Sequence, residues 1–104
     1  MSDVIIIPLS GNLDVAMQVR LKEELLKKAP LESEKIVLDF SKVEFIDSAC
    51  LGALIAVARK LRKKGGDVRM ASLPEEVQSI FQITRLDKVF RIFSKPEEAV
   101  ASYS

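Results

Sequence analysis

The stretch Phe45-Ile46-Asp47-Ser48-Ala49-Cys50-Leu51-Gly52 joins an extended segment to a helical one. Val43 to Ile46, which overlaps its start, is a short extended piece that leads into Asp47-Ser48. From Ala49 to Lys64 the apolar residues recur at three- and four-residue spacing, as on one face of a helix: Leu51, Leu54, Ile55, Ala58 and Leu61. The pattern therefore predicts a strand, then the Asp47-Ser48 junction, then a helix.

The same kinds of signal extend outward in both directions from this junction. Short β-branched or apolar runs predict four further extended segments, at Val4 to Leu9, Lys35 to Phe40, Val68 to Ala71 and Val89 to Phe93. The triplet Ser10-Gly11-Asn12 has turn chemistry, and Asp14 is placed to cap a helix over Val15 to Lys28. Gly65-Gly66 predicts the end of the helix that follows the junction.

Two similar segments, Ser72 to Val77 and Ser94 to Ala99, each carry a serine three residues before a glutamate, with proline between them. Both predict a capping-box start to a helix. Strands and helices thus alternate along the chain, which favours right-handed crossovers in a parallel sheet. We expect an α/β fold, a single small domain over residues 1–104 with a mostly parallel four-stranded sheet and about four helices.

Composition narrows the classes of function. The 104 residues are 48% hydrophobic and 30% charged with a formal net charge of +1, which indicates a soluble domain without special affinity for nucleic acid. The cluster Arg59 to Lys64 is interpreted as the basic end of a helix. There is no leader-like segment and no apolar run near the ~20 residues that span a membrane. We therefore expect a cytoplasmic protein that binds neither nucleic acid nor membrane.

Catalytic and metal sites are also restricted by composition. The chain has one cysteine and no histidine, so an internal disulfide, a Cys/His zinc site and histidine acid–base catalysis are excluded. A serine nucleophile at residue 48 would need a base, and no lysine has a position that suggests this pairing. We therefore expect no enzymatic activity, no cofactor and no metal.

Two interpretations of Asp47-Ser48 follow from the residues themselves. Aspartate and serine are common helix caps, so the pair could serve only to start the helix. Alternatively, the free N–H groups of the first helical turn suit an anion, and a phosphate on Ser48 would lie beside them. The small residues after Ser48 would leave room for a modifying enzyme or a partner.

The ordered set of motifs resembles the STAS domain family, and within it the bacterial anti-sigma factor antagonists. Phe45 to Gly52 is similar to the family signature Asp-Ser-(Ser/Thr/Ala)-Gly-Leu-Gly, and Gly11 to Asp14 is similar to its Gly-Glu-Leu-Asp turn. Lys35 to Phe40 resembles the central strand, and Ile83 to Phe90 resembles the C-terminal portion. The resemblance covers nearly the whole chain.

The resemblance implies that Ser48 is phosphorylated in a partner-switching cycle. A serine kinase with a histidine-kinase-like ATP fold, which is also the anti-sigma factor, would phosphorylate the antagonist and be released. A metal-dependent serine phosphatase would restore the binding-competent form. The resemblance also implies a partner-binding surface, which by position includes Asp14, Asp47, Ser48, Ala49 and Cys50. Oligomeric state stays open.

Three departures from the family pattern bear on the partner. Cys50 stands where glycine is usual; it could be a small buried residue or a redox-sensitive thiol with a lowered pKa. Asn12 replaces a glutamate near the presumed interface. An extra strand that many relatives carry before Val4 is lacking, which would leave a sheet edge less covered. A STAS-like ligand-sensing or scaffold module that is never phosphorylated is the alternative function.

Overall fold

The computed structural model describes residues 4–17, 21, 23 and 35–104. Four parallel strands form one sheet in the order β1-β2-β3-β4. The strands are β1 Val4–Leu13, β2 Lys35–Ile46, β3 Asp67–Ala71 and β4 Ile92–Phe93, and the helices are α1 Ser48–Arg62, α2 Glu75–Ile83 and α3 Pro96–Ala101. Two 3-10 turns, Val15–Met17 and Leu86–Lys88, complete the described elements. The α/β class and the four-stranded parallel sheet are confirmed.

The core lies mainly on one face of the sheet. Ile36, Leu38 and Phe40 point from β2 into a cluster with the apolar face of α1, and all three are fully buried. Val37 points the opposite way, because side chains alternate along a strand, and packs with Ala71 and with Ala99 of α3. Strand β2 is thus covered on both faces where its sequence is continuously apolar.

Helix α1 follows its sequence pattern closely. Its buried residues are Cys50, Leu51, Ala53, Leu54, Val57, Ala58 and Leu61. Burial of each large aliphatic side chain contributes about 1.5–3 kcal/mol relative to exposure. The helix ends at the predicted glycine pair, where Gly65 has a left-handed φ of +88° and the N–H of Gly66 donates to the carbonyl of Leu61 at 2.8 Å.

The predicted helix over Val15 to Lys28 falls mostly outside the described residues. Asp14 precedes a 3-10 turn at Val15–Met17, and residues 21 and 23 are helical. Leu21 is buried in the main core.

The turn predicted at Ser10-Gly11-Asn12 is wrong, because these residues continue β1. They pair with β2, but the pairing shifts between Pro8 and Ser10 and again between Gly11 and Asn12. At each shift β2 contributes one more residue than β1, as in a β-bulge. Gly11 has φ +75°, so the irregularity that glycine permits here is a bulge instead of a chain reversal.

The C-terminal elements also differ from expectation. Strand β4 comprises two residues, whereas Val89 to Phe93 was predicted. The amides of Val89 and Phe90 donate to the carbonyl of Leu86, so they are used in the second 3-10 turn and cannot pair with β3. Phe90 is buried all the same, against Phe81 at 6.3 Å between ring centroids.

Neither predicted serine cap forms. Ser72 adopts a left-handed φ of 60° and donates its hydroxyl to the carbonyl of Ser94, so it does not cap α2. Helix α3 begins one residue later than predicted, after Lys95, whose N–H donates to the carboxylate of Glu98 at 3.2 Å. The glutamate that bonds back to the helix start is therefore Glu98, one residue beyond the predicted Glu97.

No helix in the described part of the chain is long and apolar enough to cross a membrane.

Candidate functional site

The junction before α1 lies beside the end of β1. Because β1 and β2 are parallel neighbours, their carboxyl ends meet at the same edge of the sheet. Leu13 pairs with Ile46, and the N–H of Asp47 donates to the carbonyl of Leu13 at 3.0 Å. The fold thus brings the segment that starts at Asp14 next to the segment that starts at Asp47, 33 positions later in the sequence.

Asp47 caps α1. Its backbone is extended, with φ −101° and ψ 176°, and its carboxylate accepts the N–H of Cys50 at 3.0 Å. Its carbonyl accepts the N–H of Leu51 at 3.0 Å, which is the first bond of the helical series. The capping interpretation is therefore correct for Asp47.

Ser48 is the first helical residue and is exposed. Within residues 4–17 and 35–104 its hydroxyl makes no hydrogen bond, so capping does not account for this serine. Ala49 beside it is half-buried, and Gly52 is exposed one turn further along the helix. A Cβ added at Gly52 would meet no atom within 4 Å outside its own helix backbone, so the surface of the first helical turn is open on this side.

Asp14 repeats the capping arrangement on the other segment. Its carboxylate accepts the N–H of Ala16 at 3.1 Å, and its carbonyl accepts the N–H of Met17 at 2.9 Å. This confirms the prediction that Asp14 is a cap, here of the 3-10 turn. Asp14 and Asp47 are both half-buried, so each carboxylate is held by backbone and still meets solvent.

Cys50 lies beneath this surface. Its side chain is 0% exposed, and its thiol donates to the carbonyl of Asp14 at 3.1 Å. Burial, and after it the negative charges of Asp47 and Asp14, together raise the pKa of the Cys50 thiol from 9.0 to about 11. Burial and the raised pKa favour the small buried residue over the redox-sensitive thiol with a lowered pKa, and burial also prevents this side chain from touching a partner directly.

Phe45 is a surface residue that the sequence pattern did not single out. Strict alternation would place it on the same face as the buried Val43, yet it is 47% exposed. Gly11 pairs with Val43 and Asn12 pairs with Phe45, so Glu44 is the extra residue of a bulge, and Phe45 turns to the opposite face. An irregular register of this kind leaves no simple signal in the sequence.

The site is acidic. Asp14, Glu44 and Asp47 are its charged residues, and residues 10–17 and 43–52 contain no lysine or arginine. The basic residues of α1, among them Arg59, Lys60 and Arg62, lie in its last turn. A helix of 15 residues separates the two ends by about 22 Å, so opposite charges lie at opposite ends of the helix.

The described residues of the site do not form a group of metal ligands. Across the described ranges, no three His, Cys, Asp or Glu side chains are grouped to hold a metal ion. A cavity of about 410 Å³ lies elsewhere, between α2 and β4, and its lining includes Gln78, Gln82 and Arg91.

This chain is similar in sequence and in fold to known proteins. The model of the STAS domain matches residues 1–99. The anti-sigma-B factor antagonist of Bacillus subtilis is 27% identical over 92 residues, which is 88% of this chain and 84% of that protein. A crystal structure of a Thermotoga maritima protein superposes with a TM-score of 0.88 at 26% identity, covering 98% of this chain and 88% of the other.

The same fold occurs in a different setting. The crystal structure of a sulfate transporter family protein from Wolinella succinogenes has a TM-score of 0.80 at 19% identity, over 95% of this chain and 83% of that one. This likeness concerns the fold alone. With 99 of 104 residues matched by the family model, the chain belongs to the STAS domain family.

Proposed function

We propose that this protein is a cytoplasmic anti-sigma factor antagonist whose binding state is set by phosphorylation of Ser48. The observation that carries the proposal is the Ser48 hydroxyl, exposed and without a hydrogen bond in the described structure, at the first residue of α1. In the unphosphorylated form it would bind an anti-sigma factor that is also a serine kinase. A metal-dependent serine phosphatase would reverse the modification.

Relatives support the antagonist role in general terms. The Bacillus subtilis relative is an anti-sigma-B factor antagonist, and the match covers most of both chains. A protein of this kind acts by binding another protein. We accordingly propose a binding role without catalysis by this chain.

The negative charges near Ser48 explain why phosphorylation would weaken binding and not strengthen it. A phosphate on Ser48 would add roughly 1.5–2 negative charges next to the carboxylate of Asp47. Docking would then have to desolvate a dianion beside segments 10–17 and 43–52, which carry Asp14, Glu44 and Asp47 and no lysine or arginine. A shift of about 5.5 kcal/mol would change a bound population from 99:1 to 1:99, and no refolding of the domain is required.

We propose that the docking surface comprises Asp14, Asp47, Ser48 and Ala49. Their positions along two adjoining segments place them at one end of the sheet. The exposed Phe45 adds an apolar contact at the rim of this surface. Cys50 belongs to the site as a buried support of the two segments.

The test is phosphorylation followed by a binding measurement. The protein is incubated with ATP and with serine kinases of the anti-sigma class, and the modified residue is identified by mass spectrometry. We expect one phosphate on Ser48 and none on the Ser48→Ala protein. Calorimetry should then give tight binding for the unmodified protein, weak binding for the phosphoprotein and recovery after dephosphorylation.

A STAS module that is never phosphorylated is the second candidate. The sulfate transporter family protein with the same fold favours it, because this domain also serves outside sigma-factor regulation. In that case Ser48 would stay unmodified with every kinase of the class, and Ser48→Ala and wild type would behave alike. Exposed Ser79 in α2 serves as a control for unspecific phosphorylation.

A further inference from the structure

The two segments of the docking surface are joined by contacts between residues distant in the sequence. The N–H of Asp47 donates to the carbonyl of Leu13 at 3.0 Å. The thiol of Cys50 donates to the carbonyl of Asp14 at 3.1 Å across 36 positions of the chain. We call the second contact, from Cys50 to Asp14, the segment clamp.

Asp14, the acceptor in the segment clamp, is also held by hydrogen bonds from residues close to it in the sequence. The Asp14 carbonyl accepts the Met17 N–H, and the Asp14 carboxylate accepts the Ala16 N–H. Cys50 is itself oriented, because its N–H donates to the carboxylate of Asp47. The chain of contacts therefore runs from the cap of α1, through Cys50, to the cap of the 3-10 turn.

The thiol is suited to this donor role by its surroundings. Its side chain is 0% exposed, so no bulk water competes for the S–H. The proton stays on sulfur at neutral pH because burial raises the thiol pKa. Glycine, the usual residue of the family signature at this position, has no side-chain donor.

We infer that Cys50 is a positioning residue, which holds Asp14 in a defined place relative to Ser48 so that the partner meets both as one prearranged surface. The inference rests on the proposed function, since it concerns the same partner. A surface that is ordered before docking loses less conformational entropy when it binds. The clamp therefore strengthens binding of the unphosphorylated form without touching the partner.

The experiment compares Cys50→Ala and Cys50→Gly, which lack the donor, with Cys50→Ser, which keeps a hydroxyl donor. Val57→Ala is the matched control, because Val57 is buried in the same helix but two turns away from the clamp. Two quantities are measured in full-length protein: exchange of the Met17 and Asp47 amides by NMR, and affinity for the kinase by calorimetry.

We expect both amides to exchange faster in the alanine and glycine variants and the Kd to rise about threefold to tenfold, the range that one hydrogen bond corresponds to. The serine variant should stay within about twofold of wild type, as should the affinity of Val57→Ala despite its lower stability. Unchanged exchange, or faster exchange with unchanged affinity, would overturn the inference.

Kinase binding by the wild-type protein distinguishes failure of the proposed function from failure of the positioning role. If wild-type protein binds no kinase of the class, the proposed function fails and the positioning role fails with it. If wild type binds and its Cys50 variants bind equally well, only the positioning role fails. Equal weakening in Val57→Ala and Cys50→Ala would show that lower stability is the cause, and would also reject the clamp.

Discussion

The two ends of the sheet differ in how their polar groups are bonded. At the amino ends of β2 and β3, the Tyr103 hydroxyl lies 2.8 Å from the carbonyl of Ile36 and 2.9 Å from that of Asp67, so both can share its proton. The Arg69 guanidinium covers the tyrosine ring at 3.9 Å and bonds to Asp67 and Ser102. We call these contacts the C-terminal cluster.

At the carboxyl ends of β1 and β2, the bonds involve the same kinds of groups but leave some of them free. Asp14 and Asp47 accept backbone N–H groups, while no arginine or lysine pairs with either carboxylate in the described structure. The Ser48 hydroxyl has no partner there. The C-terminal cluster uses its polar groups to hold the last residues of the chain, whereas the site leaves the Ser48 hydroxyl without a bond in the described structure.

The largest expected effect is the loss of affinity for the kinase when Ser48 is replaced by a charged residue. Replacing Ser48 by Asp places a charge at the centre of the proposed interface, and we expect affinity for the kinase to fall about 100-fold, as when a charge is buried without a partner. Ser48→Ala should bind like the unmodified protein. Chemical denaturation should show both variants within about 0.5 kcal/mol of wild type. Equal affinity of the two variants would show that the surface at Ser48 is not an interface.

Alkaline pH should destabilise the protein through the Cys50 thiol at one end of the sheet and the Tyr103 hydroxyl at the other. The Cys50 pKa rises from its ordinary 9.0 to about 11, and burial likewise raises the pKa of Tyr103 above its ordinary 10.0. The unfolded chain then loses these protons at lower pH than the folded chain. Stability is therefore present below pH 9 and declines as pH rises from 9 towards 11, by about 2–3 kcal/mol for the cysteine.

Urea unfolding at pH 8, 9, 10 and 10.5 measures this decline. The slope with pH should be smaller in Cys50→Ala up to pH 10, while in Tyr103→Phe the difference should become clear only above pH 10. Identical pH profiles in wild type and Cys50→Ala would mean that the thiol is not buried in solution.

A stability measurement should show that the C-terminal cluster stabilises the fold without contributing to kinase binding. Tyr103→Phe removes the hydroxyl that two backbone carbonyls share, and we expect the free energy of unfolding to fall by about 1–2 kcal/mol with no change in affinity for the kinase. Ser79→Ala is the matched control, because its hydroxyl also donates to a carbonyl but is exposed; we expect less than about 0.5 kcal/mol. A loss of kinase binding in Tyr103→Phe would contradict the division of roles.

The smallest expected effect concerns the cap of α1. Asp47→Ala removes the acceptor of the Cys50 N–H and should cost about 1 kcal/mol of stability, as for other N-caps. Asp47→Asn keeps an acceptor oxygen and should recover most of this loss, so a remaining defect in kinase binding would report on the charge. If the alanine variant were as stable as wild type, Asp47 would not be a significant cap.

Sequence patterns predicted most of the architecture because burial has a regular period. The spacing of Leu54 and Leu61 determined which face of α1 is buried, and the Gly65-Gly66 pair predicted its end. The prediction failed at Ser72 and at Val89, where contacts with distant parts of the chain outweigh local preference. Ser72 bonds to the carbonyl of Ser94, and Val89 is drawn into a 3-10 turn.

For the site, the sequence by itself identified Ser48, Asp47 and Asp14, because helix caps and signature motifs depend on nearby residues. Only the tertiary structure added the rest: within the described residues it leaves the Ser48 hydroxyl without a hydrogen bond, and it buries the Cys50 thiol against Asp14. It also exposed Phe45 through a bulge. These decisions depend on the register of β1 against β2, a property of two strands together that neither segment encodes alone.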